Sequence, residues 1–375
     1  MPRQALELFI PGPTWLRPET RQAALLPEFG HRDSQAREVV SSIFDNLRAI
    51  AELPDDYDIA LVNGSGSTGM ECALRSLVAD DDRLLCVTVG VFGALFHSMA
   101  IGNGKQVERL DFEPGCSIDL DVLEHTLRNG RFNVVTLTHN ESSTGVVSDI
   151  VGACRLIRAH GALPIVDGVS LFGGDHSRIA DALPAVYATT TQKCLALPAG
   201  QAILFVHCDA LDKAAQVSNR GYTSDLLKHV EFGRDRQIMT TPDTTLLNQM
   251  QVQLDTIVHA EGVLQRFARH RAMRATVRAW ATARPDRFEL FVADADASPS
   301  LTTVSIDPAL DPAALKATMR ERGYLIDTGH KKLNDILGAQ SRRLLIRIPH
   351  MGDIGPAMLD RYLDALDSES AALRR

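Results

Sequence analysis

The chain has no Cys-x-x-Cys pair, no long apolar run, no basic excess and few lysines, and each shortage narrows what it can be. Its six cysteines, Cys72, Cys86, Cys116, Cys154, Cys194 and Cys208, lack the tight spacing of a zinc site or a disulfide framework. That usage fits the reduced cytoplasm and predicts no metal site. No stretch approaches the roughly 18 consecutive apolar residues of a membrane span, and the first ten residues, with Arg3 and Glu7, do not read as a secretory leader. A net charge of −8 opposes general binding to nucleic acid, whose backbone needs a basic surface. Internal repeats and low-complexity segments are absent too. Lysine stands at only seven positions, 105, 193, 213, 228, 316, 331 and 332, so the possible amine nucleophiles are few.

What remains is an ordinary globular composition over 375 residues, 45% hydrophobic and 23% charged. At about 150 residues per domain the length suggests two domains, with core enough to need no disulfide or structural metal. The middle of the chain alternates short runs rich in Val, Ile and Leu with helix-like stretches. Strands are expected at 59–62, 84–88, 134–138, 163–166, 186–189 and 202–206, and helices at 70–78 and 150–160. That alternation predicts an α/β fold, a mostly parallel sheet sandwiched by helices. After about Asn248 the texture changes. A long helical stretch, 247–283, holds no proline and one glycine, Gly262; strands at 301–306 and 344–348 and helices from Pro312 and over 356–366 follow. The expected division is a large domain over 1–254 and a smaller α/β domain over 255–375.

Chemistry is expected where the strands end in polar residues, the edge at which open α/β sheets bind ligands. Asn63-Gly64-Ser65-Gly66-Ser67-Thr68-Gly69 joins a strand to a helix, where free amides and the helix dipole favour an anion such as phosphate. It is neither a P-loop nor a good dinucleotide fingerprint, and a tight turn without ligand would look the same. Asp167 closes an apolar strand; a carboxylate there needs a partner, and a protonated pyridine nitrogen would serve, although capping of the next turn is an alternative. Lys193, after Thr189-Thr190-Thr191-Gln192, can be desolvated, which frees a neutral amine for a Schiff base. The alternative, a solvated lysine, suits Lys105, Lys213 and Lys228 better, since their neighbours are polar. His139 to Gly145 sits at another strand end, either as a cap or as a row of donors. Arg347 alternates with apolar residues in Leu345-Ile346-Arg347-Ile348, so its fork meets either a bound carboxylate or phosphonate or an internal acid.

In this order the segments resemble the class V (fold type I) pyridoxal-phosphate-dependent aminotransferases. The alanine–glyoxylate, serine–glyoxylate and serine–pyruvate group is the nearest in look. Pro11-Gly12-Pro13-Thr14, Gly30-His31-Arg32, Gly64 to Glu71, His139 to Val146, Asp167 to Gly174, Gln192 to Gly200, Thr240-Thr241-Pro242 and Arg347 to Gly352 carry the likeness. They span nearly the whole chain in collinear order. The resemblance implies pyridoxal 5'-phosphate as cofactor, Lys193 as its covalent anchor and proton carrier, and Asp167 against the pyridinium nitrogen. It implies Phe92 and Val169 on the two ring faces, Ser142 near the ring hydroxyl, and Gly66, Ser67, Thr68 and Gln192 around the phosphate. Thr240 would reach the phosphate of a second copy, making a homodimer with shared sites, and Arg347 would clamp the substrate carboxylate.

The implied activity is transfer of an amino group from alanine or serine to glyoxylate or pyruvate. The alternative is 2-aminoethylphosphonate–pyruvate transamination, since 170–174 and 219–226 look like that branch and a guanidinium fork accepts phosphonate as readily as carboxylate. A desulfurase or lyase of the same fold fits less well, because no cysteine follows Cys208 and Phe92 holds the stacking position. A non-catalytic relative has no support while Lys193, Asp167 and Arg347 are all present. Departures from the family pattern fall at Asn140, at Pro349 and at Gln237, which stands where an aromatic residue commonly contributes to the phosphate cup; they leave cofactor binding intact and bear on the substrate assignment.

Overall fold

The computed structural model describes residues 6–374; residues 1–5, half of the segment read above as no leader, and Arg375 lie outside the described residues. A seven-stranded sheet runs in the spatial order Tyr57–Asn63, Gln201–His207, Val186–Thr190, Leu163–Asp167, Val134–Thr138, Arg83–Thr88, Gln106–Asp111. Only Gln201–His207 opposes the rest, pairing antiparallel with both of its neighbours. Strands such as Val134–Thr138 and Val186–Thr190 are buried throughout, as a sheet covered on both faces requires. One apolar cluster, with Ile43, Phe44, Leu137 and Phe205, fills one face. A second, with Met70, Leu74, Phe96 and Leu204, fills the other.

The expected strands all form, extended by no more than two residues at either end, and the one expected at 344–348 is shifted by one residue to Leu345–Pro349. The Gln106–Asp111 strand was not expected, because its exposed edge carries Gln106, Glu108, Arg109 and Asp111 instead of an apolar run. The helix expected at 70–78 begins earlier, at Gly66–Leu77, so the glycine-rich segment is partly its first turn. The continuous helix expected over 247–283 is broken: Thr244–Asp255 passes into a π-helical turn, Thr256–Glu261, and Val263–Thr282 restarts after Gly262. Gly262 takes φ +84°, a left-handed conformation that ends the run and that glycine adopts at little cost.

Beyond that break a three-stranded sheet, Phe288–Leu290, Leu301–Ile306 and Leu345–Pro349, has a core of its own, with Met273, Val277, Ile348, Leu359 and Tyr362. Phe9, from the start of the chain, belongs to this core and stacks on Tyr362 at 3.8 Å. Its strand, Glu7–Phe9, pairs in parallel with Tyr324–Ile326. This small ribbon brings the N-terminal segment to the rim where the parallel strands end.

Candidate active site

Parallel strands ending at Asn63, Thr88, Thr138, Asp167 and Thr190 bring the chemically promising residues to one rim. Lys193 lies three residues past its strand, in a loop tied by the Thr191 hydroxyl to the Pro198 carbonyl (2.6 Å). Its Nζ donates to the Pro11 carbonyl. Gly12 lies flat on the lysine chain: a Cβ there would stand 2.8 Å from Lys193 Cδ, and its φ of +116° suits glycine alone. Thr14 completes the cover, donating its hydroxyl to the Lys193 carbonyl at 3.0 Å. Burial, and after it the nearby Arg347 charge, pull the Lys193 amine down to about 8, where a neutral fraction exists at ordinary pH.

Behind this loop Arg266, fully buried, ties the lysine segment to the C-terminal half. It donates to the carbonyls of Gly173 (3.0 Å) and Cys194 (2.6 Å) and to the carboxylates of Glu261 (2.7 Å) and Asp353 (2.9 Å). Asp353 also takes Arg17 at 2.7 Å.

Asp167 has a single side-chain hydrogen bond among the described residues, from the Val169 N–H at 2.8 Å. Burial raises its carboxyl to about 7; the Val169 N–H works against that rise and buried Glu141 adds to it. Such a carboxyl is short of a cation. His139, whose burial drives it down to about 3, is neutral and meets the Tyr187 hydroxyl at 3.1 Å, which makes it a structural group. The Tyr187 ring packs so closely on Gly168 that a Cβ there would lie 2.0 Å away.

Two helix starts at the rim differ. That of Val91–Gly102 is stoppered: Glu141 accepts from the N–H groups of Phe92 (2.9 Å) and Gly93 (3.3 Å), and the Ser143 hydroxyl accepts from Val91 (3.0 Å). That of Gly66–Leu77 has no side-chain cap, and Ser67 and Thr68 are exposed. The Thr68 N–H turns back to the Ser65 carbonyl at 2.9 Å, whereas the Gly66 and Ser67 amides meet no acceptor among the described residues and are available to an anion. Gly66 is forced by Val169, whose Cγ2 would be 2.6 Å from any Cβ at that position. Gln192 stands beside this cup, its Oε1 accepting from Thr190 at 2.5 Å. Thr240 is held by Asn63 Nδ2, which reaches its hydroxyl at 2.9 Å from the strand end leading into the cup.

Arg347 lies opposite the lysine. It does not wait with an empty fork: Nε and Nη2 hold the two oxygens of Asp327 at 2.7 and 2.8 Å, and Nη1 holds the Ser142 carbonyl at 2.9 Å. Phe92 meets His330 edge to face at 6.1 Å, and on its outer side a cleft of about 730 Å³ opens, lined also by Asp111, Leu333 and Arg342. The rim thus assembles Lys193, Asp167, Val169, Gly66, Ser67, Thr68, Gln192, Ser142, Phe92 and Arg347. Sequence reading gave no role to Asp327, Glu141, His330 or the Pro11 carbonyl; of these only Glu141 carried a signal, an acid three residues past an apolar strand in the His139–Gly145 segment.

These residues fit pyridoxal phosphate. The uncapped helix start with its obligatory Gly66 can cradle the phosphate, Asp167 lacks the cation a protonated ring nitrogen would supply, and Lys193 offers a neutral amine. The comparisons agree. An uncharacterized aminotransferase of Methanocaldococcus jannaschii is 28% identical over 93% of this chain and 88% of its own. A serine–glyoxylate aminotransferase of Hyphomicrobium methylovorum is 29% identical over 96% and 88%. The crystal structure of pyridoxamine–pyruvate aminotransferase from Mesorhizobium loti superposes with a TM-score of 0.90 at 25% identity, covering all of this chain and 94% of that one. The family model "Aminotransferase class-V" matches residues 20–348, and with the rim built as described the chain belongs to the class-V aminotransferases, enzymes that work with pyridoxal phosphate.

Proposed function

We propose that this aminotransferase moves an amino group from alanine or serine to glyoxylate or pyruvate. The observation that carries the reading is the Lys193 amine, drawn down to about 8 and placed between a carboxyl short of a cation and an arginine. When bound, pyridoxal phosphate supplies an aldehyde on a pyridine ring that withdraws electrons from the substrate Cα.

The chain's own residues do the rest. Lys193 Nζ takes the proton from the substrate Cα and returns it to the other end of the reacting system, a task for an amine titrating near the working pH. Asp167 would hold the proton on the ring nitrogen. Phe92 and Val169 would enclose the ring, Ser142 would lie by its hydroxyl, and Gly66, Ser67, Thr68 and Gln192 would hold the phosphate. Arg347 orients the substrate carboxylate through the N–H groups that Asp327 and Ser142 leave over. Thr240 contributes to the phosphate site of a second copy, which makes the working unit a homodimer. The cytoplasm is the expected compartment: the described cysteines are all unpaired, and no described helix is long and apolar enough to cross a membrane.

The test is a half-reaction screen. The cofactor-loaded protein is mixed with alanine, serine and 2-aminoethylphosphonate in turn, and its conversion to the pyridoxamine form is followed by absorbance. Fast conversion by alanine or serine is expected. Conversion by aminoethylphosphonate alone would replace this reading with phosphonate transamination, which the Arg347 fork also permits.

A further inference from the structure

The Asp327–Arg347 pair sits at the substrate end of the site, and nothing in the transfer reaction requires it. Asp327 follows the Tyr324–Ile326 strand and faces Arg347 across an antiparallel bridge, with the Arg347 N–H donating to the Asp327 carbonyl at 3.3 Å. Its carboxylate is anchored independently of the arginine, because Oδ1 also accepts from the Gly329 N–H at 2.8 Å. Gly329 is fixed in turn: its φ is +84°, and a Cβ there would fall 2.2 Å from the Leu345 carbonyl oxygen. Asp327 is therefore built into the site and did not merely drift onto an unoccupied guanidinium.

A guanidinium has five N–H donors. Three are engaged here, so one N–H on each terminal nitrogen is all that a ligand finds. The pair is close to electrically neutral, and the side chains are only 9% and 16% exposed, so little solvent screens one from the other. His330, which also faces the pair, is held below its ordinary range by burial and next by Arg347, and adds no charge at neutral pH. An incoming carboxylate must either share the guanidinium or displace an anion that is already hydrogen-bonded in two directions.

We propose that Asp327 is a specificity-determining residue: it competes with the substrate's anion for Arg347, weakens the site's hold on carboxylates, and lets primary amines that carry no carboxylate serve as donors. The inference rests on the transaminase reading and names the substrate class within it.

Isopropylamine is alanine with a methyl group in place of the carboxylate, and the pair of donors tests the idea. In the half-reaction, kcat/KM for alanine divided by that for isopropylamine is expected to rise about tenfold or more in Asp327→Asn, a change on the scale of one charge-assisted hydrogen bond regained. A second readout needs no turnover: propionate binding to the cofactor-loaded protein, measured by calorimetry, should tighten by a similar factor. Arg347→Met added to Asp327→Asn should cancel both gains, since the competition is for that one side chain. An unchanged ratio, or weaker propionate binding in Asp327→Asn, would mean that Asp327 only buttresses the arginine and would overturn the proposal. Failure of every amine to convert the wild-type protein would instead overturn the transaminase reading, and this inference with it.

Discussion

Arg266 and Arg347 are two buried arginines on either side of the Lys193 loop, and they differ in what they leave over. Arg266 spends its donors on two carbonyls and two carboxylates and has no exposed surface. Arg347 meets one carboxylate and one carbonyl and keeps a small exposed edge. The carboxylates beside them diverge likewise. Burial raises Asp353, but Arg266 and Arg17 outweigh it and hold the group below its ordinary range; Asp167, with one N–H for company, stands near 7. Saturated polar groups mark the scaffold, and unsaturated ones mark where a ligand is meant to go.

The largest expected effect breaks the scaffold side. Arg266→Ala strands Glu261 and Asp353 with less than their full complement of donors and should cost about 3–5 kcal/mol of stability, read from chemical unfolding. Arg347→Ala should invert the pattern. Unfolding should move little, because Asp327 keeps the Gly329 N–H and some solvent, whereas kcat/KM for alanine should fall about a hundredfold through loss of charge-assisted bonds. If Arg347→Ala proved as destabilising as Arg266→Ala, the distinction between the two arginines would fail.

The finest test uses pH on the cofactor-free protein. A folded-state value raised to about 7 means that Asp167 stabilises the fold fully below about pH 4 and loses that contribution as pH rises to 7. Asp353, held low, behaves oppositely: its contribution is present at neutral pH and is lost as pH falls into the acid range. The stability of the parent relative to Asp167→Asn should therefore decline from pH 4 to 7, with a slope no steeper than about 1.4 kcal/mol per pH unit. Relative to Asp353→Asn it should rise as the solution is brought up from acid. Parallel slopes for the two variants would show that Asp167 has a partner after all.

How much of this was legible follows from what each residue does. Runs such as Val134–Thr138 announce themselves because both faces are buried; Gln106–Asp111 does not, since an edge strand that must refuse further pairing is written in charges. Lys193 and Asp167 stood out because a polar group at or soon after the end of an apolar strand needs a reason. Asp327 gave no such sign: after a three-residue strand and before Thr328-Gly329 it reads as a turn, and its pairing with Arg347 depends on two segments meeting 20 residues apart. The cover of Lys193 was equally hidden, because the group that meets the amine is a main-chain carbonyl, which no side-chain pattern encodes.

The ribbon of Glu7–Phe9 and Tyr324–Ile326 links these two hidden features mechanically. Pro11, on the amine, and Asp327, on the arginine, lie just past the ends of its two strands. One hydrogen-bonded ribbon therefore holds both chemical ends of the site, so a substitution that unpairs its strands should disturb the amine's cover and the arginine's partner together.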